Sequence, residues 1–493
     1  MRLFKVLITS AAIAVAAAPA AFAAKTDIVL GVALEPPHLD PTGGAAAAID
    51  EVVYANVFEG LTRIGRQGEV LPALAESWDI SDDGKTYTFH LHTGVKYHDG
   101  TDFDANDVKF SLDRARADDS TNAQKGLFAA IDTVEVVDPA TVKVTLKNPS
   151  GSFLYNMGWG DAVIVAEESA ATNGEKPVGT GPFRFDNWAK GSSITIVKND
   201  AYWGQAVALD KAEFRIIPDA AAATAAMLAG DVNAFPNFPA PEAVAQFQAD
   251  PRYSVVIGAT EGETILATNN KKPPFDDLRV RQAIAHTIDR QAIIDGAMFG
   301  QGTPIGSHFS PANAAYEDLT GTYPHDVAKA KELLKEAGHE NGFKATLKLP
   351  PPTYARRGGE IVASQLREIG IELEIIPVEW AQWLEQVFKG KDYDLTIVSH
   401  TEPNDIGIYA RKDYYFNYDN PEFDKVMADL DVTADADKRN ALYKQAQEII
   451  ATDAVNGYLF ELAKTGVWDA KLNGLWENSP IQANDLTGVS WSE

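Results

Sequence analysis

The chain reads as an α/β protein of two large lobes or three subdomains, and three observations predict it. Removing a leader of 23 residues leaves 470 of the 493, too many for one compact hydrophobic core. Strand-type and helix-type patterns are interleaved along the whole length, with no fixed repeat period. From about Thr264 onward, helical segments are followed directly by strands, the succession that builds αβ units.

The leader is residues 1–23, "MRLFKVLITSAAIAVAAAPAAFA". Arg2 and Lys5 precede an Ala/Val/Ile run that ends in the small residues Ala21 and Ala23, the pattern of a cleavable secretory signal peptide. The run is short and mostly alanine, which argues against a membrane anchor. No later segment is a long uninterrupted apolar run, so the mature chain is expected to be soluble. The sequence has no cysteine. That excludes a disulfide framework, a thiolate nucleophile, a zinc–cysteine site and a lipidated cysteine near the cleavage point. An exported chain without an anchor is expected in a periplasm, with full secretion the weaker option. Loss of Arg2 and Lys5 takes the formal charge from −27 to −29. Such acidity repels nucleic-acid phosphates and anionic membranes, so neither is expected as a partner.

The elements follow in order. "KTDIVLGVA" alternates and then turns apolar, as a first buried strand does. "SDDGKTYTFHLHTGVKYHDG" predicts a turn at Asp83-Gly84, a strand, a second turn near Thr93-Gly94 and a return. On that strand Tyr87, Phe89 and Leu91 share one face, while Thr86, Thr88, His90 and His92 share the wetter one. "TDFDANDVKFSLDRA" predicts a helix capped by Asp104, with Asp107 three residues on. Hairpins are expected about Asp138-Pro139 and Lys190-Gly191. Asp219 and Gly230 bracket a further helix, followed by a short buried strand.

In the second half, "DDLRVRQAIAHTIDRQAIIDGAM" predicts one long amphipathic helix with Val280, Ile284, Ile288 and Ile293 on one side. Helices ending at Gly338 and Gly370 come next, then the strand "IELEIIPV", the segment "EWAQWLEQVFKG" and the strand "YDLTIVS". "LAKTGVWDAKLNGLW" returns to strand-like alternation and suggests a crossing back to the first lobe.

Seven segments, in order, carry a resemblance: "PHLDPTGG", "VYANVFEGLTR", "LPALAESWDISDDGKTYTFHLHTGVKYHDGTDFDANDVKFS", "PVGTGPFRFDNW", "NDAYWG", "NNKKPPFDDLRVRQAIAHTIDRQAIIDG" and "ARRGGEIVASQLREIGIELEI". Across nearly all of the mature chain the sequence resembles the peptide/nickel class of ABC-transporter periplasmic substrate-binding proteins, solute-binding protein family 5. The resemblance implies a two-lobed periplasmic-binding-protein type II-like fold that closes on a ligand, with an extra α/β subdomain inserted in the first lobe. Mapped here, lobe I would be 24–55, 177–267 and 469–493, the extra subdomain 56–176, and lobe II, the ligand lobe, 268–468. The implied function is a receptor, not an enzyme: it would capture a small polar solute and deliver it to an ABC importer's transmembrane subunits, as a monomer.

His90, His92, His98 and Asp99 have the chemistry of a partial metal site. The family carries a histidine and an aspartate at the positions of His98 and Asp99 whatever its ligand, so these are expected to be scaffold, with Asp99 capping the turn before Thr101. Arginine is usual where His92 stands. No metal and no cofactor are expected. Nucleophile-elbow, HExxH and P-loop motifs are all missing from the sequence.

Ligand capture has more support. Arg356 and Arg357 fall at the N-terminus of the helix running to Gly370, where a guanidinium beside free N–H groups suits a carboxylate or phosphate. The resemblance implies that one of them grips a solute carboxylate; a surface pairing with Glu360 is the competing reading. In the loop after "YDLTIVS", the resemblance implies that Asp405 or Glu402 holds an ammonium group, with His400 and Asn404 as further polar contacts. The family's usual Asp-Tyr-Pro-Asp-Pro run is missing there, which leaves room for a modified amino acid, an opine or a sugar conjugate beside a short peptide. Trp380, Trp383, Tyr409 and, from the extra subdomain, Trp159 are the aromatic candidates. A receptor for an oligosaccharide or sugar conjugate is the alternative; a nickel- or metal-complex receptor and a secreted hydrolase rank below it.

Overall fold

A computed structural model gives the conformation of residues 25–44, 46–402, 405–433 and 435–492. The expected signal peptide, residues 1–23, lies outside them, as does Asn404. No helix among the described residues is long and apolar enough to cross a membrane.

Three main sheets organise the chain. The first has seven strands in the order Tyr253–Gly258, Lys464–Asp469, Ala234–Phe235, Asp27–Val32, Lys211–Ile216, Ser193–Lys198, Phe183–Ala189. Asp27–Val32 runs parallel to Lys211–Ile216, with Asp27 opposite Lys211. The second has six, in the order Thr303–Pro304, Gly457–Glu461, Glu263–Thr268, Leu395–His400, Phe343–Leu349, Ile371–Pro377. The third, of four strands, runs Ala75–Ile80, Thr86–Leu91, Thr141–Leu146, Ile131–Asp138 and belongs to the inserted subdomain.

Backbone pairing decides where the chain changes lobes. Glu263–Thr268 pairs with Leu395–His400, in the second sheet, and Lys464–Asp469 pairs with Tyr253–Gly258, in the first. The two crossings therefore lie between residues 258 and 263 and between residues 461 and 464. The ranges ending at 267 and 468 put these two strands on the opposite sides. The crossings are bonded to one another: Thr260 N–H donates to Glu461 Oε1 at 2.9 Å, and Leu462 N–H to Gly262 O at 2.7 Å.

Each sheet has its own core. Ile28, Leu30, Val53, Phe183 and Phe214 fill the first lobe, and Phe89, Val108, Val144 and Phe153 fill the inserted subdomain. Glu263–Thr268 is buried throughout because the second sheet is covered on both faces. Leu266 packs on one side with Ile284 and Leu347, and Ile265 and Ala267 pack on the other with Tyr409 and Tyr415.

Local signals mostly act as read. Asp104 and Asp107 form a reciprocal capping box on Ala105–Arg116. Asp219 caps Ala220–Ala229, which ends at a left-handed Gly230 (φ 78°). Tyr87, Phe89 and Leu91 are buried on their strand. The return after Thr93-Gly94 is no strand but a single bridge, Lys96 to Asp102.

The expected long helix is two: Leu278–Thr287 and Arg290–Met298. Ile288 takes an extended conformation (ψ 116°), and Asp289 caps the second helix by accepting from Ala292 N–H. The continuous apolar pattern survives the break because both pieces pack on one core, through Val280, Ile284, Ile288 and Ile293.

Candidate functional site

Strand Leu395–His400 ends in the second lobe at His400, and this end collects the polar groups. In the neighbouring antiparallel strand Glu263 stands directly opposite His400. The loop before residue 310 delivers His308, and a 3-10 turn beginning at Asp405 follows the strand. His308 Nε2 lies 2.7 Å from Asp405 Oδ1 and His400 Nδ1 3.4 Å from Asp405 Oδ2. The far ring nitrogens contact phenols: His308 Nδ1 is 3.2 Å from Tyr409 OH, and His400 Nε2 is 3.0 Å from Tyr415 OH. Asn456 donates to Tyr409 OH at 2.9 Å. Burial works to raise the Asp405 carboxyl, but the two imidazoles outweigh it and hold it well below the usual carboxylate range.

Among the described residues no lysine or arginine pairs with the carboxylates around this group. Burial, with help from the Glu461 and Asp405 charges, pushes Glu261 up to about 7 against the hydrogen bond from Asn313. Glu263, 3 % exposed, is driven well above its usual value by burial and then by Asp405. From the inserted subdomain Asp161 faces the same region. Burial, then the Glu402 charge, raises it to about 7. Behind it Asp50, on helix Ala47–Val53, is raised by burial and by Asp161. The opposing faces are tied by Gln482, which donates to Thr401 O.

The sequence candidates divide accordingly. His400, Asp405 and Tyr409 meet through His308; Glu402 lies beside them and opposite Asp161. Trp159 is buried on the segment that carries Asp161. Trp383 and Tyr409 are core residues, 4 % and 1 % exposed, and the Trp383 indole donates to Thr396 Oγ1 at 2.9 Å. Trp380 is half-buried with its indole N–H unpartnered and its ring edge-on to Trp383.

The arginines fall at the N-terminal end of their helix, as read, but both guanidiniums meet protein groups. The helix spans Thr353–Arg367 and starts early enough that Arg356 N–H already bonds to Pro352 O. Neither arginine therefore sits beside a free N–H pair of its own. Arg356 turns onto its own lobe, to Val378 O at 3.2 Å and Glu379 at 3.3 Å. Arg357 spans to Glu242 of the first lobe at 3.4 Å. Neither pairs with Glu360.

The histidine-rich stretch is spent elsewhere. His90 pairs with Asp79 at 2.9 Å, and His92 lies 3.8 Å from Glu76 with its ring 4.5 Å from Trp203. His98 bonds to Gly179 N–H and Gly181 O, so it joins the inserted subdomain to the first lobe. Asp99 accepts from Thr101 N–H at 3.0 Å, the turn cap expected of it.

The sequence reading singled out none of His308, Glu261, Glu263 and Asp161. A glutamate inside the apolar strand "ETILAT" was the available signal for Glu263. His308 had none, being 97 residues from Asp405.

Comparison with known proteins fits this two-lobed, two-crossing architecture. Residues 69–405 match the family described as "Bacterial extracellular solute-binding proteins, family 5 Middle". The chain belongs to that family. Among relatives of this family-5 protein, Di/tripeptide-binding protein 1 of Pseudomonas aeruginosa (strain UCBPP-PA14) is 32 % identical over 480 residues, 88 % of each chain. Dipeptide-binding protein of Escherichia coli (strain K12) is 32 % identical over 465 residues, 85 % of each. Among solved structures, the periplasmic binding protein DppA of Helicobacter pylori in complex with peptide STSA superposes with TM-score 0.86 at 27 % identity, covering 95 % of this chain and 99 % of that one. AgaA in complex with agropinic acid, from A. tumefacien R10, gives 0.84 at 26 % identity, with 95 % and 99 % covered. Family-5 proteins bind small solutes and deliver them to ABC permeases.

Proposed function

We propose that this family-5 protein is a periplasmic receptor whose solute carries a protonated nitrogen: a short peptide, an opine or another amino-acid-derived compound. The observation that carries the reading is the set of under-compensated carboxylates, Glu261, Glu263 and Glu402 on one side and Asp161 on the other. A cation between them would supply the missing charge, and the contacts would exist together only with the lobes closed. Closure needs that differential, because equal affinity for open and closed forms shifts nothing. One charge-assisted hydrogen bond contributes about 1.5–3 kcal/mol, a sizeable share of the roughly −8 kcal/mol of a micromolar complex.

The relatives named for di- and tripeptides and the opine-bound structure support the same class. Arg411 is the candidate for a solute carboxylate, supported by its exposure and by its closeness to Tyr414 and to Gly126 of the inserted subdomain. An oligosaccharide has less support, since Trp383 and Tyr409 are packed in the core. Mass spectrometry of the compound released from freshly purified, denatured protein tests the proposal. An amine-bearing solute is expected, with affinity cut about tenfold or more in Glu402→Gln by calorimetry. A neutral sugar, or an unchanged affinity in that variant, would overturn it.

A further inference from the structure

We propose that His308, His400 and Asp405, with Glu263 as a fourth donor, form a binding site for a divalent transition-metal ion. The site shares Glu263 with the solute reading, but it needs only the protein's own groups and can be tested with no solute present. One ring nitrogen each of His308 and His400 and a carboxylate oxygen of Asp405 all lie within 4.8 Å of one another. Donors sharing one ion at about 2.0–2.2 Å stand roughly 3–3.5 Å apart. His308 Nε2 stands 2.7 Å from Asp405 Oδ1 and His400 Nδ1 3.4 Å from Asp405 Oδ2, so the two imidazoles already flank one carboxylate, and side-chain rotation would bring the donors onto one ion.

The surroundings have the form of a metal site's outer layer. A ligating imidazole is held by a partner on its other nitrogen. Here Tyr409, itself fixed by Asn456, holds His308, and Tyr415 holds His400. With the ion bound, each imidazole is neutral and carries its proton on that far nitrogen, donating to the phenol oxygen.

Glu263 gives an independent indication. It is 3 % exposed, stands across the strand pair from His400, and its Oε2 has no hydrogen-bond partner among the described residues. Directly paired residues of an antiparallel ladder have Cβ atoms about 4.5–5.5 Å apart, within reach of a shared ion. Two imidazoles with carboxylates suit zinc, nickel, cobalt or copper rather than magnesium or calcium. The side chains of His308, His400 and Asp405 are 0 %, 8 % and 12 % exposed, so the ion would enter past Asp405 and His400.

The test is titration of chelator-stripped full-length mature protein with Zn²⁺ or Ni²⁺ alone, by calorimetry, and with Co²⁺, read by its visible ligand-field bands. One ion per chain is expected. Affinity should fall by about a hundredfold in His308→Gln and in Asp405→Asn, since even an outer-layer partner is worth 10–100-fold. It should be unchanged in His90→Ala/His92→Ala. Should the buried His308→Gln fail to melt cooperatively, the partly accessible Asp405→Asn decides alone. No stoichiometric binding by the wild type, or binding undiminished in Asp405→Asn, would overturn the proposal. Neither result bears on the amine-bearing solute, which is absent from the titration.

Discussion

Arg357, near the start of helix Thr353–Arg367, faces Glu242 of the first lobe as a fork, with two guanidinium nitrogens each 3.4 Å from a carboxylate oxygen. The pair connects the lobes and does not point at the polar cluster around Asp405. Gln301 crosses nearby, donating to Pro241 O and accepting from Thr465 Oγ1. These contacts join the two lobes.

Arg357→Ala should therefore weaken solute binding only modestly. Both partners are more than a third exposed, at 43 % and 36 %, and exposed pairs contribute about 0.2–1 kcal/mol. Calorimetry should show roughly a two- to fivefold loss, shrinking as salt is added. A hundredfold loss would mean that the guanidinium grips the solute itself.

Binding of a cationic solute should tighten as pH rises from about 5.5 to 7.5. Glu261 and Asp161 keep their protons up to about 7 in the folded protein, so a cation must displace them at lower pH. The sign for stability is opposite. The folded state binds more protons than the unfolded chain between about 4 and 7, so these groups' contribution to apoprotein stability falls as pH rises through that window. Titrations in buffers of different ionisation enthalpy should detect proton release at pH 6, and less of it in Glu261→Gln.

His98 should give an acid limb to stability. Burial is the main cause that lowers it to about 4, while it accepts from Gly179 N–H and bonds to Gly181 O. The unfolded chain takes up a proton near pH 6.5 and the folded state does not. Stability is therefore lost as pH falls from about 6.5 to 4, by up to roughly 3 kcal/mol. Denaturant unfolding of wild type and His98→Gln across that range should show a flatter profile for the variant.

Trp383→Ala should act on folding first. The indole is buried among Tyr415, Phe388 and Trp380, and its N–H donates to Thr396 Oγ1. Such truncations cost about 3–5 kcal/mol, visible as a lowered Tm of apoprotein without any solute present. An unchanged Tm with lost binding would instead make Trp383 a solute platform.

The fold was largely legible because its signals are local. Asp104 with Asp107, Asp219 with Gly230, and the alternation from Tyr87 to Leu91 each act within a few residues. Residues 287–289 misled because one apolar stripe serves two helices, and only Asp289's capping bond divides them. The candidate site was half legible. Asp405, His400 and Glu402 share a loop and a strand end, whereas His308 and Glu263 reach them through tertiary contacts and sheet pairing that leave no spacing to read. The arginines were placed correctly at the helix N-terminus, but their partners, Val378 O and Glu379 for Arg356 and Glu242 for Arg357, are tertiary contacts that no spacing announces.

The segment from Gly457 to Asp469 supplies an interior strand to each large sheet, Gly457–Glu461 to the second and Lys464–Asp469 to the first. A chain growing from its N-terminus therefore has neither lobe complete until these late residues are available. Both would wait with an open slot between strands, and unpaired strand edges invite pairing with other chains. One hairpin-length stretch thus closes both lobes, and it does so while linking them at the second crossing.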